Sequence, residues 1–145
     1  MRIILQRVKK AAVKVDGEIV AEIGHGLLLL LGVCRDDTLK RAEYLADKCA
    51  ELRIFEDENG KMNLSLLNIR GQALVVSQFT LCADISKGRR PSFGMAMPPQ
   101  QAELLYEEFC RLLEGKGIDV KNGRFGAKMA VELVNDGPVT ILLEN

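Results

Sequence analysis

Gly24-His25-Gly26-Leu27-Leu28-Leu29-Leu30-Leu31-Gly32-Val33 holds the longest apolar run of the chain, and the reading of this stretch decides the fold. The run is far shorter than the roughly 20 residues that span a bilayer. Periodicity alone does not separate a buried strand from a buried helical segment, but the flanking Gly24 and Gly26 and the short length favour a strand covered on both faces. Immediately upstream, Asp16-Gly17 separates two partly alternating segments, Ala12 to Val15 and Glu18 to Ile23. Asp-Gly between such segments is the strongest short-range hairpin signal, so antiparallel strands lead into the leucine strand.

Downstream, Asp37 or Thr38 can cap a helix whose apolar positions Leu39, Ala42, Leu45, Ala46, Cys49 and Leu52 recur at helical spacing. Asn59-Gly60 and Arg70-Gly71 punctuate loops and short strands, and Ala73 to Leu81 reads as a second strongly apolar strand. Pro98-Pro99 opens another helix, striped by Ala102, Leu105, Tyr106, Phe109, Leu112 and Leu113 and stopped by Gly115 and Gly117. In the final third, Val120, Ala130 to Val134 and Val139 to Leu143 are strand segments, the last two joined by a predicted turn at Asn135-Asp136-Gly137-Pro138. Strands and helices come in runs, not in strict alternation. The expected class is α+β: mixed, largely antiparallel β-sheet layers with two amphipathic helices, in a single domain over residues 1–145.

Twenty Lys and Arg balance twenty Asp and Glu, so any nucleic-acid contact has to come from a local patch and not from the overall field. The opening Met1-Arg2-Ile3-Ile4-Leu5-Gln6-Arg7 lacks a signal-peptide pattern, which makes a cytoplasmic protein without membrane association the expectation. Cys34, Cys49, Cys82 and Cys110 lie far apart in sequence, against a zinc knuckle or a redox pair, and read as free, mostly packed thiols. His25 is the sole histidine, so a triad or metal cluster built on several histidines is excluded; it reads as a turn residue without a role. Neither phosphate-binding glycine motif is present, and Asp36-Asp37 and Glu107-Glu108 read as solvated carboxylates. No metal and no cofactor are expected.

Two segments stand out. Ser77-Gln78-Phe79-Thr80-Leu81 continues through Ala83-Asp84 to Lys87-Gly88-Arg89-Arg90-Pro91-Ser92-Phe93, and Asn135-Asp136-Gly137-Pro138-Val139-Thr140 lies near the end of the chain. Read alone, the first is a strand end whose hydroxyls satisfy backbone groups, the second a tight turn, and Lys87 to Arg90 a solvated loop. Together they match the two signature motifs of the D-aminoacyl-tRNA deacylase family, also called the D-tyrosyl-tRNA(Tyr) deacylase family. The resemblance runs along the whole chain. Gln6-Arg7-Val8, the Gly24 to Gly32 strand, Lys61-Met62-Asn63-Leu64, and Gly123-Arg124-Phe125 with Met129 follow the family pattern in the same order.

What the resemblance implies is hydrolysis of the ester joining a D-amino acid to the terminal ribose of tRNA, a proofreading step of translation. An ester is already activated, so positioning and oxyanion stabilisation can lower the barrier without a strong protein base. Thr80 is the obvious nucleophile, yet no neighbouring base is supplied by the local sequence. The family resemblance supports the alternative: backbone N–H groups around Phe79 and Thr80 hold the carbonyl, Ser77, Gln78 and Thr80 position the substrate, and the tRNA 2′-hydroxyl assists an attacking water. It further implies that Gly137-Pro138 is a cis peptide lent to the partner subunit's site in a homodimer, where its main chain excludes an L side chain. Arg7 matches the residue that fastens that pair. Such a wall passes glycine, so glycyl-tRNA is a second expected substrate. Lys87, Arg89, Arg90, Arg124 and Lys128 are the expected tRNA-contacting cations, with Phe125 or Phe93 to stack a base; no DNA partner is expected. The competing readings are an L-alanyl-tRNA editing paralogue with a trans Gly-Pro bond, which Arg7 argues against, and a noncatalytic RNA-binding or scaffold protein of the same fold. A small-molecule hydrolase independent of tRNA stands behind both.

Overall fold

The computed structural model describes residues Met1–Asn145. Its sheet is organised by β1 (Arg2–Val15), which is paired along both edges. One edge runs antiparallel to β8 (Ala130–Glu144), from Arg2 opposite Glu144 to Lys14 opposite Ala130. The other edge is divided: β3 (Gly26–Gly32) takes Arg2 to Val8, and β2 (Glu18–Ile23) takes Ala11 to Val15. β6 (Gln72–Ser77) lies parallel to β3, and β7 (Asp119–Asn122) parallel to β6. The sheet is therefore mixed, in the order β2-β1-β3-β6-β7 with β8 added on β1. A separate small ribbon pairs β4 (Phe55–Glu56) with β5 (Met62–Leu64).

The leucine run is a strand, and its period of two explains why every residue in it is apolar. Leu27, Leu29 and Leu31 enter a core of 24 buried residues shared with α1 (Leu39–Glu51) and α2 (Pro99–Gly115). Leu28 points to the opposite face, where Leu74 and Val76 of β6 meet Val8, Ala11, Val13 and Ile23 from the far end of β1 and from β2. The β1–β2 hairpin thus folds back over the second face of β3 and β6. Full burial of a leucine contributes about 1.5 to 3 kcal/mol, so neither face of this strand tolerates a polar residue cheaply. The hairpin turns where expected: Asp16 and Gly17 both have positive φ, 53° and 85°, as a type I′ connection requires.

Both helices lie where the apolar stripes put them, with local differences. Thr38 is the cap of α1, but its side chain makes no capping bond. Asp37, expected as a solvated carboxylate, is instead buried, accepting hydrogen bonds from the α-ammonium of Met1 and from the Cys34 amide. Leu39 stays exposed and Ala50 takes its place in the core, because the buried face begins one turn later. In α2, Ala102, Tyr106, Phe109, Cys110 and Leu113 are buried.

Three further expectations fail. The second apolar strand stops at Ser77, not Leu81, because the chain enters a 3-10 turn over Phe79–Cys82. Asn135 to Pro138 does not reverse the chain: β8 continues through it, and the residues between Asn135 and Thr140 form a bulge opposite the single residue Arg7. Cys34 and Cys82 are not free thiols but a disulfide across a separation of 48 residues; the loops carrying them converge only once β3 and β6 lie side by side. Cys49 and Cys110 are the buried free thiols, and burial pushes each up to about 12.

Gly26 is the tightest point of the parallel pair, since a Cβ there would stand 1.9 Å from the Gln72 carbonyl oxygen. Gly26→Ala should lower stability by about 3 kcal/mol or more through backbone displacement. Gly17→Ala, where space is open but φ is positive, should cost about 1 kcal/mol. Urea unfolding midpoints at unchanged m-value would rank the two.

Candidate active site

β6 delivers its last residue, Ser77, opposite Leu31 of β3, and the amide of Gln78 donates to the Leu31 carbonyl at 2.8 Å. That bond is the last grip of the sheet. Beyond it Gln78 caps the 3-10 turn, with Leu81 N–H returning to the Gln78 carbonyl at 3.1 Å and Ala83 N–H to the Thr80 carbonyl at 3.1 Å. The amides of Phe79 and Thr80 find no acceptor within the chain, as the geometry of a helix start dictates. Both residues are exposed where the sheet ends.

Thr80 Oγ1 accepts a hydrogen bond from Gln78 Nε2 at 2.5 Å. No histidine, lysine or carboxylate forms a hydrogen bond with it, so its hydroxyl is oriented without being activated. Phe79 packs edge-on against Phe93, ring centroids 5.0 Å apart. Together they border a cleft of about 600 Å³ whose other walls include Ser77, Met97, Phe125 and Met129. Phe125 is half-buried and tilted against Tyr106 at 5.8 Å, so it offers its ring to the cleft and not to open solvent. Tyr106 in turn donates its hydroxyl to the Val75 carbonyl at 2.8 Å, and burial holds that phenol well above its ordinary value.

The cationic residues divide differently. Lys87, Arg89 and Arg90 are exposed on a loop pinched by the Asp84–Ser92 bridge, and the hydroxyl and amide of Ser86 hold the Asp84 carboxyl below its usual range. Arg124 and Lys128 are exposed beside Phe125. None of the five is engaged by a carboxylate.

Gly137 and Pro138 are elsewhere. Their peptide bond is cis, and both residues are exposed on the bulge of β8. Arg7, buried opposite, donates from Nε to the Asp136 carbonyl at 2.9 Å and from Nη1 to the Ile54 carbonyl at 2.5 Å. A Cβ on Gly137 would lie 3.1 Å from Arg7 Nη2. Asn135, to which the sequence reading gave no separate part, closes the bulge: its Oδ1 accepts from Val139 N–H at 2.7 Å and its Nδ2 donates to the Val139 carbonyl at 3.1 Å. The signal available was the preference of Asn for bonding backbone groups a few residues on. His25 is a turn residue as expected, its ring edge-on to Phe55 and Nε2 4.0 Å from Asp136 Oδ2.

The register fixes how far apart the two motifs are. Ser77 aligns with Leu31, Ile3 and Leu143, whereas the bulge aligns with Arg7 and Leu27. Four residues along the strands and three strand spacings across them amount to roughly 13 Å and roughly 14 Å. Within one chain the bulge cannot reach Thr80.

A model of the family described as D-Tyr-tRNA(Tyr) deacylase matches residues 4–144. This chain belongs to that family. It is 57% identical to the D-aminoacyl-tRNA deacylase of Brevibacillus brevis over the full length of both chains. It is 59% identical to that of Desulfatibacillum aliphaticivorans, covering 100% of this chain and 99% of the other. Among solved structures, one described as "c-Myc DNA Unwinding Element Binding Protein" superposes with a TM-score of 0.94 at 44% identity, covering 100% of this chain and 99% of that one. Another, described as "Structural Analysis of a probable eukaryotic D-amino acid tRNA deacylase", gives 0.84 at 19% identity over 98% and 97%, a likeness of fold alone.

Arg7 is the only side chain donating to the Asp136 and Ile54 carbonyls, so Arg7→Met strands two acceptors. A loss of about 2 to 4 kcal/mol is expected, at about 1 to 3 kcal/mol per unsatisfied buried group. Amide exchange in residues 135–139 should quicken well beyond the global change; unchanged local exchange would show that Arg7 does not fasten the bulge.

Proposed function

We propose that this protein is a D-aminoacyl-tRNA deacylase: a hydrolase that cleaves the ester between a D-amino acid and tRNA, releasing both, as a proofreading step of translation. The observation that carries the catalytic reading is the pair of unpartnered amides at Phe79 and Thr80. Aimed at the ester carbonyl, they would stabilise the oxyanion that develops as water attacks, and one such donor is commonly worth about 10² to 10³ in rate. Because no base forms a hydrogen bond with Thr80, its hydroxyl positions the substrate together with Gln78 and Ser77, and the ribose 2′-hydroxyl of the tRNA relays the proton, taking it from the attacking water as it gives its own to the departing 3′-oxygen. RNA then supplies the group that the protein lacks.

Chiral choice is assigned to the Gly137-Pro138 bulge acting in trans. It stands exposed and too far from its own Thr80, which supports a homodimer in which each protomer lends the bulge to its partner's site. A second feature favours the same assembly: β8 is a 15-residue edge strand that exposes Leu133, Val134 and Leu142, an edge that isolated proteins rarely leave bare. Main-chain atoms of the bulge would occupy the volume of an L side chain; glycine has none, so glycyl-tRNA is expected to be hydrolysed as well. The tRNA is held by Lys87, Arg89, Arg90, Arg124 and Lys128, and Phe125 stacks a terminal base inside the cleft. A cytoplasmic location follows from acting on charged tRNA.

D-tyrosyl-tRNA should be hydrolysed and L-tyrosyl-tRNA and L-alanyl-tRNA spared; hydrolysis of the L-alanyl substrate instead would identify an editing paralogue, and no hydrolysis a binding protein. Thr80→Ala should retain activity within about tenfold, the worth of one hydrogen bond. Substrate ending in a 2′-deoxyribose should react roughly 10²-fold more slowly. Abolished turnover in a folded Thr80→Ala dimer, with the 2′-deoxy substrate unaffected, would make Thr80 the nucleophile.

A further inference from the structure

We infer that Cys34 and Cys82 form a thiol–disulfide exchange site behind the catalytic turn, through which a small-molecule thiol or dithiol reductant sets how firmly that turn is held. Cys82 is the last residue of the 3-10 turn that carries Phe79 and Thr80, and Cys34 follows the leucine strand. Cys34 also bridges Ala96 in the wall of the cleft bordered by Phe79 and Phe93, with Met97 N–H donating to the Val33 carbonyl at 3.1 Å and Arg35 N–H to the Met95 carbonyl at 2.8 Å. One covalent bond therefore ties the turn, the end of β3 and a cleft wall together.

Access is provided from the side away from the substrate. A second cleft of about 560 Å³ is lined by Cys34, Cys82, Arg2, Asp84 and Met95, and Cys34 is half-buried there while Cys82 is covered. A thiolate entering this cleft attacks Cys34 Sγ, forms a mixed disulfide with it and expels Cys82 as a thiolate, which takes up a proton. A second thiol attacks the reductant's sulfur in that mixed disulfide, Cys34 leaves and is protonated, and the reductant departs as its own disulfide with two electrons transferred. The remaining cysteines take no part: Cys49 and Cys110 are buried, with thiols pushed up to about 12, and expose no thiolate.

Besides the disulfide, non-covalent contacts alone hold the C-terminal end of the turn: the Arg2 Nη1 hydrogen bond to the Leu81 carbonyl at 2.8 Å, the Ala83 N–H bond to the Thr80 carbonyl, the Asp84–Ser92 bridge and close approach to Gly32. A protein acting on charged tRNA works in a reducing compartment, where a disulfide is more often a transient or sensing element than a permanent staple. The link to turnover rests on the catalytic reading of Phe79 and Thr80; the tether itself does not.

The test uses the full-length protein, air-oxidised or treated with glutathione or dithiothreitol, with thiols counted in denaturant, amide exchange followed over Phe79–Ala83, and D-tyrosyl-tRNA hydrolysis timed. Oxidised protein should show two free thiols and reduced protein four. Reduction should speed exchange in the turn, while β3 and β6 stay protected, and slow turnover roughly tenfold or more, since small misplacements of reacting groups are costly. Cys34→Ser should match the reduced protein and ignore the reductant, and reoxidation of wild type should restore it without refolding. Four free thiols under oxidising conditions, or exchange in the turn unaltered by reduction, would overturn the proposal. Turn loosening in a protein that hydrolyses no D-tyrosyl-tRNA in either state would leave the tether standing and sink the deacylase reading instead.

Discussion

Close approach of β6 to β3 is the constraint on which the rest of this structure depends. The two strands run parallel, and they can do so at this distance because Gly26 and Gly32 stand at the two ends of the leucine strand. At Gly26 a side chain would strike the Gln72 backbone; at Gly32 it would strike Leu81 and the Gln78 carbonyl. The first glycine lets β6 enter the pair and the second lets the chain turn sharply as it leaves. Between them five leucines fill both faces of the sheet and hold the register. The Phe79–Cys82 turn thus leaves directly from the end of this buried, paired strand.

The second motif is built by the opposite device. Where β3 and β6 owe their order to missing side chains, the bulge of β8 owes its shape to one large side chain placed under it. Arg7 interrupts a strand of apolar inward-facing residues with a guanidinium, and the opposing chain has to go round it. The guanidinium then satisfies carbonyls that the bulge and the Ile54 segment leave unpaired, while Asn135 closes the loop from within. A bulge fastened this way projects a stiff piece of main chain, which is the property a chiral filter needs: backbone does not swing aside as a side chain does.

The organisation of the chain was largely legible in local patterns. Asp16-Gly17 turned as its φ requirements demand, the leucine run formed a doubly covered strand, and the two helical stripes formed helices, because each signal is short-range and agrees with its neighbours. The misreadings share one cause. Leu81 continued an apolar pattern although the backbone had left the sheet at Ser77, Asn135 to Pro138 carried every mark of a reversal although Arg7 on a distant strand made it a bulge, and Cys34 was separated from Cys82 by the whole of α1, β4, β5 and β6. In each case a residue far along the chain decided the outcome.

Sequence by itself therefore determined the class of fold, the positions of its elements, the family, and the residues to be watched at the two motifs, since residue type and spacing encode those things directly. Only the tertiary structure decided that Phe79 and Thr80 keep their amides free, that Phe125 faces a cleft, that Cys34 meets Cys82, and that Gly137-Pro138 stands far from Thr80 of its own chain. Those are facts of distance across a sheet, and distance across a sheet is set by pairing register, which no local run of residues specifies alone.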